Sequence, residues 1–220
     1  MNRTINRIIL TVFIVIAVAS CKKEPVRIAC VGDSITYGHG IANRERDTYP
    51  ALLDSLLGSG YDVRNFGISG RTLMNCGDFP YMSEQIYREA LDFAPQIVTI
   101  MLGTNDSKPQ NWTCKNNFKS DLKLLIDSFR ELPSKPDVLL CLPVPAMGGA
   151  WGINDSVIYN GVIPYIKEVA SEEGIRLIDL NTPMQSHREY FPDTIHPDEE
   201  GQKKISEIIL PVIKSIKRKR

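Results

Sequence analysis

Val26-Arg27-Ile28-Ala29-Cys30-Val31-Gly32-Asp33-Ser34 is the stretch whose reading decides the fold. A short β-rich apolar run stops at a glycine and hands over to polar residues. The same plan returns along the chain. Tyr61 to Phe66 reads as a second strand. Ile97 to Leu102 is apolar apart from Thr99, which suits a strand buried on both faces. Asp137 to Leu142 and Ile175 to Leu180 complete the set. Between them lie segments of helical periodicity. Leu52, Leu53, Leu56 and Leu57 make a stripe within Tyr49 to Leu57, and Phe118, Leu122, Leu125, Ile126 and Phe129 make another. Ser83 to Phe93 predicts a helix that stops before Pro95. Val157 to Glu173 predicts one more, with Asp155 or Ser156 as N-cap and Gly174 just past its end. Pro197 to Lys214 is the last, and Pro211 within it is expected to end or kink it. Strands alternating with helices predict an α/β fold, a parallel sheet covered by helices on both faces in a three-layer αβα sandwich. The fold is expected to occupy residues 26–216 as one domain.

The 220 residues are 43% hydrophobic and 24% charged, a globular composition. Lys+Arg and Asp+Glu both total 26, so no global basic field exists and nucleic acid is not an expected partner. Residues 217–220 form a short basic tail that reads as a solvated terminus. At the other end, Arg3 and Arg7 precede an apolar run from Ile8 to Val18. That run is too short to span a bilayer and suits the core of a signal peptide over residues 1–20. Those residues hold two Arg and no acid, so the remainder carries a formal charge of −2.

Ligands of an open parallel sheet bind at the carboxyl ends of its strands. Gly32-Asp33-Ser34 follows the first strand, Gly67-Ile68-Ser69-Gly70 the second, and Gly103-Thr104-Asn105-Asp106 the third. Asp193-Thr194-Ile195-His196 stands near the end. A serine hydroxyl needs a base, and of His39, His187 and His196 only His196 has a carboxylate three residues earlier. Asp193 can therefore orient the imidazole, and His196 can deprotonate Ser34. The backbone N–H groups of Ser34 and Gly70 and the side-chain amide of Asn105 can serve as oxyanion donors. Asp33 and Asp106 are expected to hold loops. No G-x-S-x-G elbow, dinucleotide fingerprint, P-loop or H-E-x-x-H occurs, and no Cys/His cluster has zinc spacing. Neither a cofactor nor a metal is expected.

The four blocks in this order resemble the SGNH hydrolases, the GDSL esterase family, across the whole chain after the signal segment. The resemblance implies a flavodoxin-like sheet in the order 2-1-3-4-5 and a serine esterase with Ser34, Asp193 and His196 as catalytic residues. It implies an oxyanion hole of Ser34, Gly70 and Asn105. Val18-Ala19-Ser20-Cys21 likewise resembles the lipobox of bacterial lipoproteins. That implies cleavage before Cys21, its lipidation, a tether over residues 21–25 and an exported protein anchored at the periplasmic or cell-surface face, with the outer membrane favoured.

Family members include lipases, thioesterases and carbohydrate deacetylases. The loops here are polar, and Trp112 and Trp151 on them suit stacking against sugar rings or simple loop packing. The loops are also similar to those of family members from glycan-degrading bacteria. The expected substrate is a glycan O-acetyl ester, such as a sialate or plant polysaccharide. A lysophospholipase or general short-chain esterase is the alternative, and an inactive glycan-binding surface lipoprotein is a second one. Cys30 and Cys141 read as buried strand thiols. Cys76 and Cys114 lie on loops after Gly70 and Asn105, which leave strands two and three on either side of strand one. They are either a rim disulfide or two free thiols.

Overall fold

The computed structural model describes residues 24–216. Five strands are β1 (Val26–Gly32), β2 (Tyr61–Gly67), β3 (Ile97–Met101), β4 (Asp137–Leu142) and β5 (Arg176–Asp179). The helices are α1 (Ser34–Tyr37), α2 (Arg44–Asp47), α3 (Tyr49–Leu57), α4 (Gln85–Asp92), α5 (Pro109–Trp112), α6 (Phe118–Arg130), α7 (Asp155–Val157), α8 (Ile163–Glu172) and α9 (Glu199–Lys214). All pairings are parallel and the order is β2-β1-β3-β4-β5.

The period of two explains the layers. Ile28 and Cys30 of β1, Ile97 and Met101 of β3, and Leu139 and Cys141 of β4 pack with Leu53 of α3 and Ile205, Ile209 and Ile213 of α9. The alternate residues Ala29, Val31, Val98, Ile100, Leu140 and Leu142 pack on the other face. There they meet Ala90 of α4, Leu122, Leu125 and Phe129 of α6, and Ile166 and Val169 of α8. Every residue of β3 is buried, as its sequence, apolar but for Thr99, suits.

Register sets up the site. Gly32 pairs with Gly67 on one side and with Met101 on the other, so three strand ends finish level. A Cβ at Gly67 would run into the backbone of Thr36 and Tyr37, so glycine is needed for α1 to sit against β2.

Beyond shifts of one or two residues at element ends, two helical segments differ from expectation. Pro211 neither ends nor breaks α9, which continues to Lys214. It lies in the last turns, where its missing N–H removes a single helical bond. The segment expected as one helix from Val157 runs as α7, a π-helical stretch Ile158–Val162, and α8. Asn154, not Asp155 or Ser156, caps it, accepting the Val157 N–H at 3.2 Å. Asp155 instead accepts the Ala146 N–H at 2.9 Å and so holds the preceding loop. The signal segment, Cys21 and residues 217–220 lie outside the described residues.

Candidate active site

Ser34 opens α1 directly after β1. Asp33 caps that helix, its Oδ1 accepting the Ile35 N–H at 3.0 Å. The sharp strand-to-helix turn leaves the Ser34 N–H with no protein acceptor among the described residues, so it is free for a ligand. Gly70 sits beyond β2 with φ +82°, a left-handed conformation that favours glycine, and its N–H is likewise free. Asn105 follows β3, and its Nδ2 donates to the Arg71 carbonyl at 3.0 Å. That bond fixes the amide and leaves its second N–H available.

His196 is brought to Ser34 from the far end of the chain. Its Nε2 lies 2.8 Å from Ser34 Oγ and its Nδ1 lies 2.7 Å from Asp193 Oδ2. Asp193 Oδ1 accepts the N–H groups of Ile195 (2.9 Å) and His196 (2.7 Å), which locks the short loop between acid and imidazole. Thr194 within it has φ +76°, a conformation a β-branched residue seldom adopts. The Thr194 carbonyl accepts the Met147 N–H at 2.7 Å, so a neighbouring loop holds the turn in place.

Burial lowers the His196 pKa below the ordinary histidine value; Asp193 pulls it up and His39 pushes it down further. At Asp193 burial opposes ionisation, but the N–H groups of His196 and Ile195 and the imidazole outweigh it, and its pKa is lowered. The base is neutral when active, so protonation removes activity. The rate is expected to fall as pH drops through the depressed His196 pKa, with a one-proton acid limb below the usual histidine range. A kcat/KM profile from pH 4 to 8 checks this, and a flat profile would contradict it.

Beneath the donors sit two buried carboxyls. Burial pushes Asp33 up to about 6, with the Ile35 N–H and Lys108 pulling it back. The Thr104 hydroxyl also faces it but sits outside hydrogen-bond geometry, so Asp33 Oδ2 has no partner among the described residues. Burial pushes Asp106 up to about 7, although its oxygens accept the N–H groups of Met74 (2.8 Å) and Leu73 (2.9 Å). Asp106 thereby ties the loop after Gly70 to the loop carrying Asn105. Asn111 extends the tie, donating to the Asn105 carbonyl at 2.9 Å and to Asp78 at 3.0 Å.

Cys76 and Cys114 join the same two loops as a disulfide, with Cα atoms 6.6 Å apart. Cys30 and Cys141 are buried and free. With Cys21 replaced, unreduced denatured protein is expected to show two reactive thiols, whereas four would contradict the bridge. On the chain-entropy model such a bridge contributes up to about 4 kcal/mol.

The two tryptophans part company. Trp112 is not at the site: it stacks on Tyr165 with centroids 5.9 Å apart, meets Phe118 at 6.2 Å and lies against Gly161. It packs α5 onto α6 and α8, so the sugar-binding expectation for it is withdrawn. Trp151 is 57% exposed and lies 5.0 Å from the His196 ring. It is held at φ +52° between Gly149 and Gly152.

Ser34, Gly70, Asn105, Trp151 and His196 line one cavity of about 180 Å³. His39, Ser69, Thr104, Lys108, Ile153 and Ile195 complete its wall. His39 had no sequence signal, because a histidine five residues after a serine has no characteristic spacing. Its ring lies 4.3 Å from that of His196. A wider groove of about 730 Å³ near Arg44, Asp54 and Arg64 holds no nucleophile–base pair. Among the described residues His39, Asp193 and His196 could also gather a metal, their ligand atoms lying within 4.8 Å of one another. In this structure the Asp193 and His196 atoms are paired with each other and with Ser34.

A carboxylate–imidazole–hydroxyl relay facing N–H donors, set at the carboxyl end of a parallel sheet, defines a site of the serine-hydrolase class. The chain belongs to the GDSL-like lipase/acylhydrolase family, whose model matches residues 30–204. It is 44% identical over 211 residues to an acetylxylan esterase of Xylanibacter ruminicola, an alignment covering 88% of this chain and 44% of that protein. The chain thus spans less than half the length of that relative. Among solved structures, a lipase/acylhydrolase from Enterococcus faecalis shares the fold with a TM-score of 0.71 at 22% identity, covering 89% of this chain and 99% of that one. A carbohydrate acetylesterase from Sinorhizobium meliloti does so with a TM-score of 0.69 at 18% identity, covering 86% and 99%.

Proposed function

We propose that this protein is a serine esterase that removes acetyl groups from carbohydrate through an acyl-enzyme intermediate. The observation that carries the chemistry is the unbroken relay from Asp193 through His196 to Ser34, facing the free N–H groups of Ser34 and Gly70. The Ser34 oxygen attacks the ester carbonyl while His196 Nε2 takes the hydroxyl proton. The carbonyl oxygen, now an oxyanion, accepts from the Ser34 and Gly70 N–H groups and from Asn105 Nδ2. The carbon–oxygen bond to the sugar breaks, His196 returns its proton to the leaving alcohol, and the acetyl group stays on Ser34. Water, deprotonated by His196, then releases acetate and restores the hydroxyl.

Two features support a short acyl group on a sugar. The cavity of about 180 Å³ is too small for a long acyl chain, which argues against a lysophospholipase. Exposed Trp151 at its mouth offers a flat face for a pyranose ring. The relative named acetylxylan esterase points the same way. Released acetate from a panel of acetylated glycans, set against butyryl and octanoyl esters, tests the reading. Preference for the longer chains would overturn it.

The amino-terminal segment belongs to the same picture. Residues 1–20 act as an export signal, and a lipid on Cys21 holds the enzyme on the membrane facing its polymer. Cys21→Ser is expected to move the protein into the soluble fraction or to stall processing. Unchanged membrane association with cleavage intact would contradict the anchor.

A further inference from the structure

Lys108 stands on the wall of the active-site cavity and has no part in the relay. It follows the short turn that carries Asn105, and its side chain is only 13% exposed. Its nearest carboxylate is Asp78, at 3.9 Å, beyond hydrogen-bond distance. Asp78 is already engaged: Oδ1 accepts from Asn111 at 3.0 Å and Oδ2 from Gln110 at 3.3 Å. The ammonium therefore donates to no protein acceptor among the described residues. A largely desolvated ammonium with three unused donors is costly unless another group completes it.

Of the cavity-lining residues, Lys108 alone carries a permanent charge. Asp78, at 3.9 Å, is the one carboxylate among the described residues within ion-pair reach of the ammonium, and it is shared with Asn111 and Gln110.

We infer that Lys108 takes an anionic group of the substrate, and that the preferred substrates are acetyl esters of acidic carbohydrates whose carboxylate reaches its ammonium. This rests on the carbohydrate esterase reading above and narrows its substrate class. The carboxylate supplies the missing acceptors, and a charge-assisted bond in a confined site discriminates strongly against a neutral analogue.

The test uses a matched pair: an acetylated methyl glucuronoside as its free carboxylate, and the same compound as its neutral carboxamide. The full-length protein is expected to prefer the carboxylate by about tenfold or more in kcat/KM, the value of one charge-assisted hydrogen bond. The preference is expected to shrink as salt is raised, because part of the attraction is screened. Lys108→Gln should remove most of the preference and Lys108→Arg should retain it. Equal rates on the two compounds by the unaltered protein would overturn the inference without any variant. So would a Lys108→Gln variant that loses activity on both alike, since Lys108 would then support the oxyanion site or the loop. Turnover of neither compound, with no acetate released from other acetylated glycans, would instead overturn the carbohydrate esterase reading itself.

Discussion

Ser34→Ala is expected to lower kcat on an acetyl ester by at least about 10³-fold, with the fold unchanged. Only the hydroxyl is lost, and among the described residues no other hydroxyl stands within bonding distance of His196 Nε2. The side chain is not a structural pillar: among the described residues the imidazole is the sole group its hydroxyl bonds. The oxyanion donors survive the change, so residual activity above the uncatalysed rate is expected from them. Thermal melting and initial rates on one preparation check both halves of the statement. A variant that keeps more than about a tenth of kcat would remove Ser34 from the nucleophile's role.

Asp193→Asn is expected to cost up to about 10⁴-fold in kcat, the loss seen when the orienting acid of such a relay becomes an amide. Asp193 does two jobs through two oxygens. Oδ1 holds the N–H groups of Ile195 and His196, and Oδ2 faces His196 Nδ1 at 2.7 Å. An asparagine can keep the first with its carbonyl oxygen, which leaves its NH₂ facing Nδ1. The imidazole must then accept at Nδ1 and carry its proton on Nε2, the wrong tautomer for taking a proton from Ser34. The substitution thus keeps the loop and spoils the base. Rates and KM measured together separate this from lost binding: kcat should collapse while KM moves little. Loss confined to KM would contradict the role given to Asp193.

The centre of the sheet was legible because β1, β3 and β4 are buried along nearly all of their length. Runs such as Ile97 to Met101 need no partner helix to be recognised, whereas the order of the strands was legible only through the family resemblance. The blocks holding Ser34, Gly70 and Asn105 were legible because each follows a strand directly, and the level strand ends bring them together. His196 was legible through its spacing from Asp193. What escaped depends on packing between distant segments. Trp112 and Trp151 look alike in sequence, yet one is clamped by Tyr165, more than fifty residues away, and the other is held out by glycines. Lys108 and His39 gave no signal because a single polar side chain on a loop acquires its role only from what faces it. Pro211 does not end the helix, because whether a proline does so depends on how many turns follow it. Cys76 and Cys114 could be weighed as a pair only after the sheet order put their loops side by side.

The most direct measurement is a rapid acid quench of the enzyme turning over an activated acetyl ester, followed by mass analysis of its peptides. A covalent route through Ser34 predicts one acetyl group per chain, located on the peptide containing Gly32-Asp33-Ser34 and absent from Ser34→Ala. Full turnover with no acetyl group captured on that peptide, or with acetyl captured elsewhere and still present in Ser34→Ala, would contradict it.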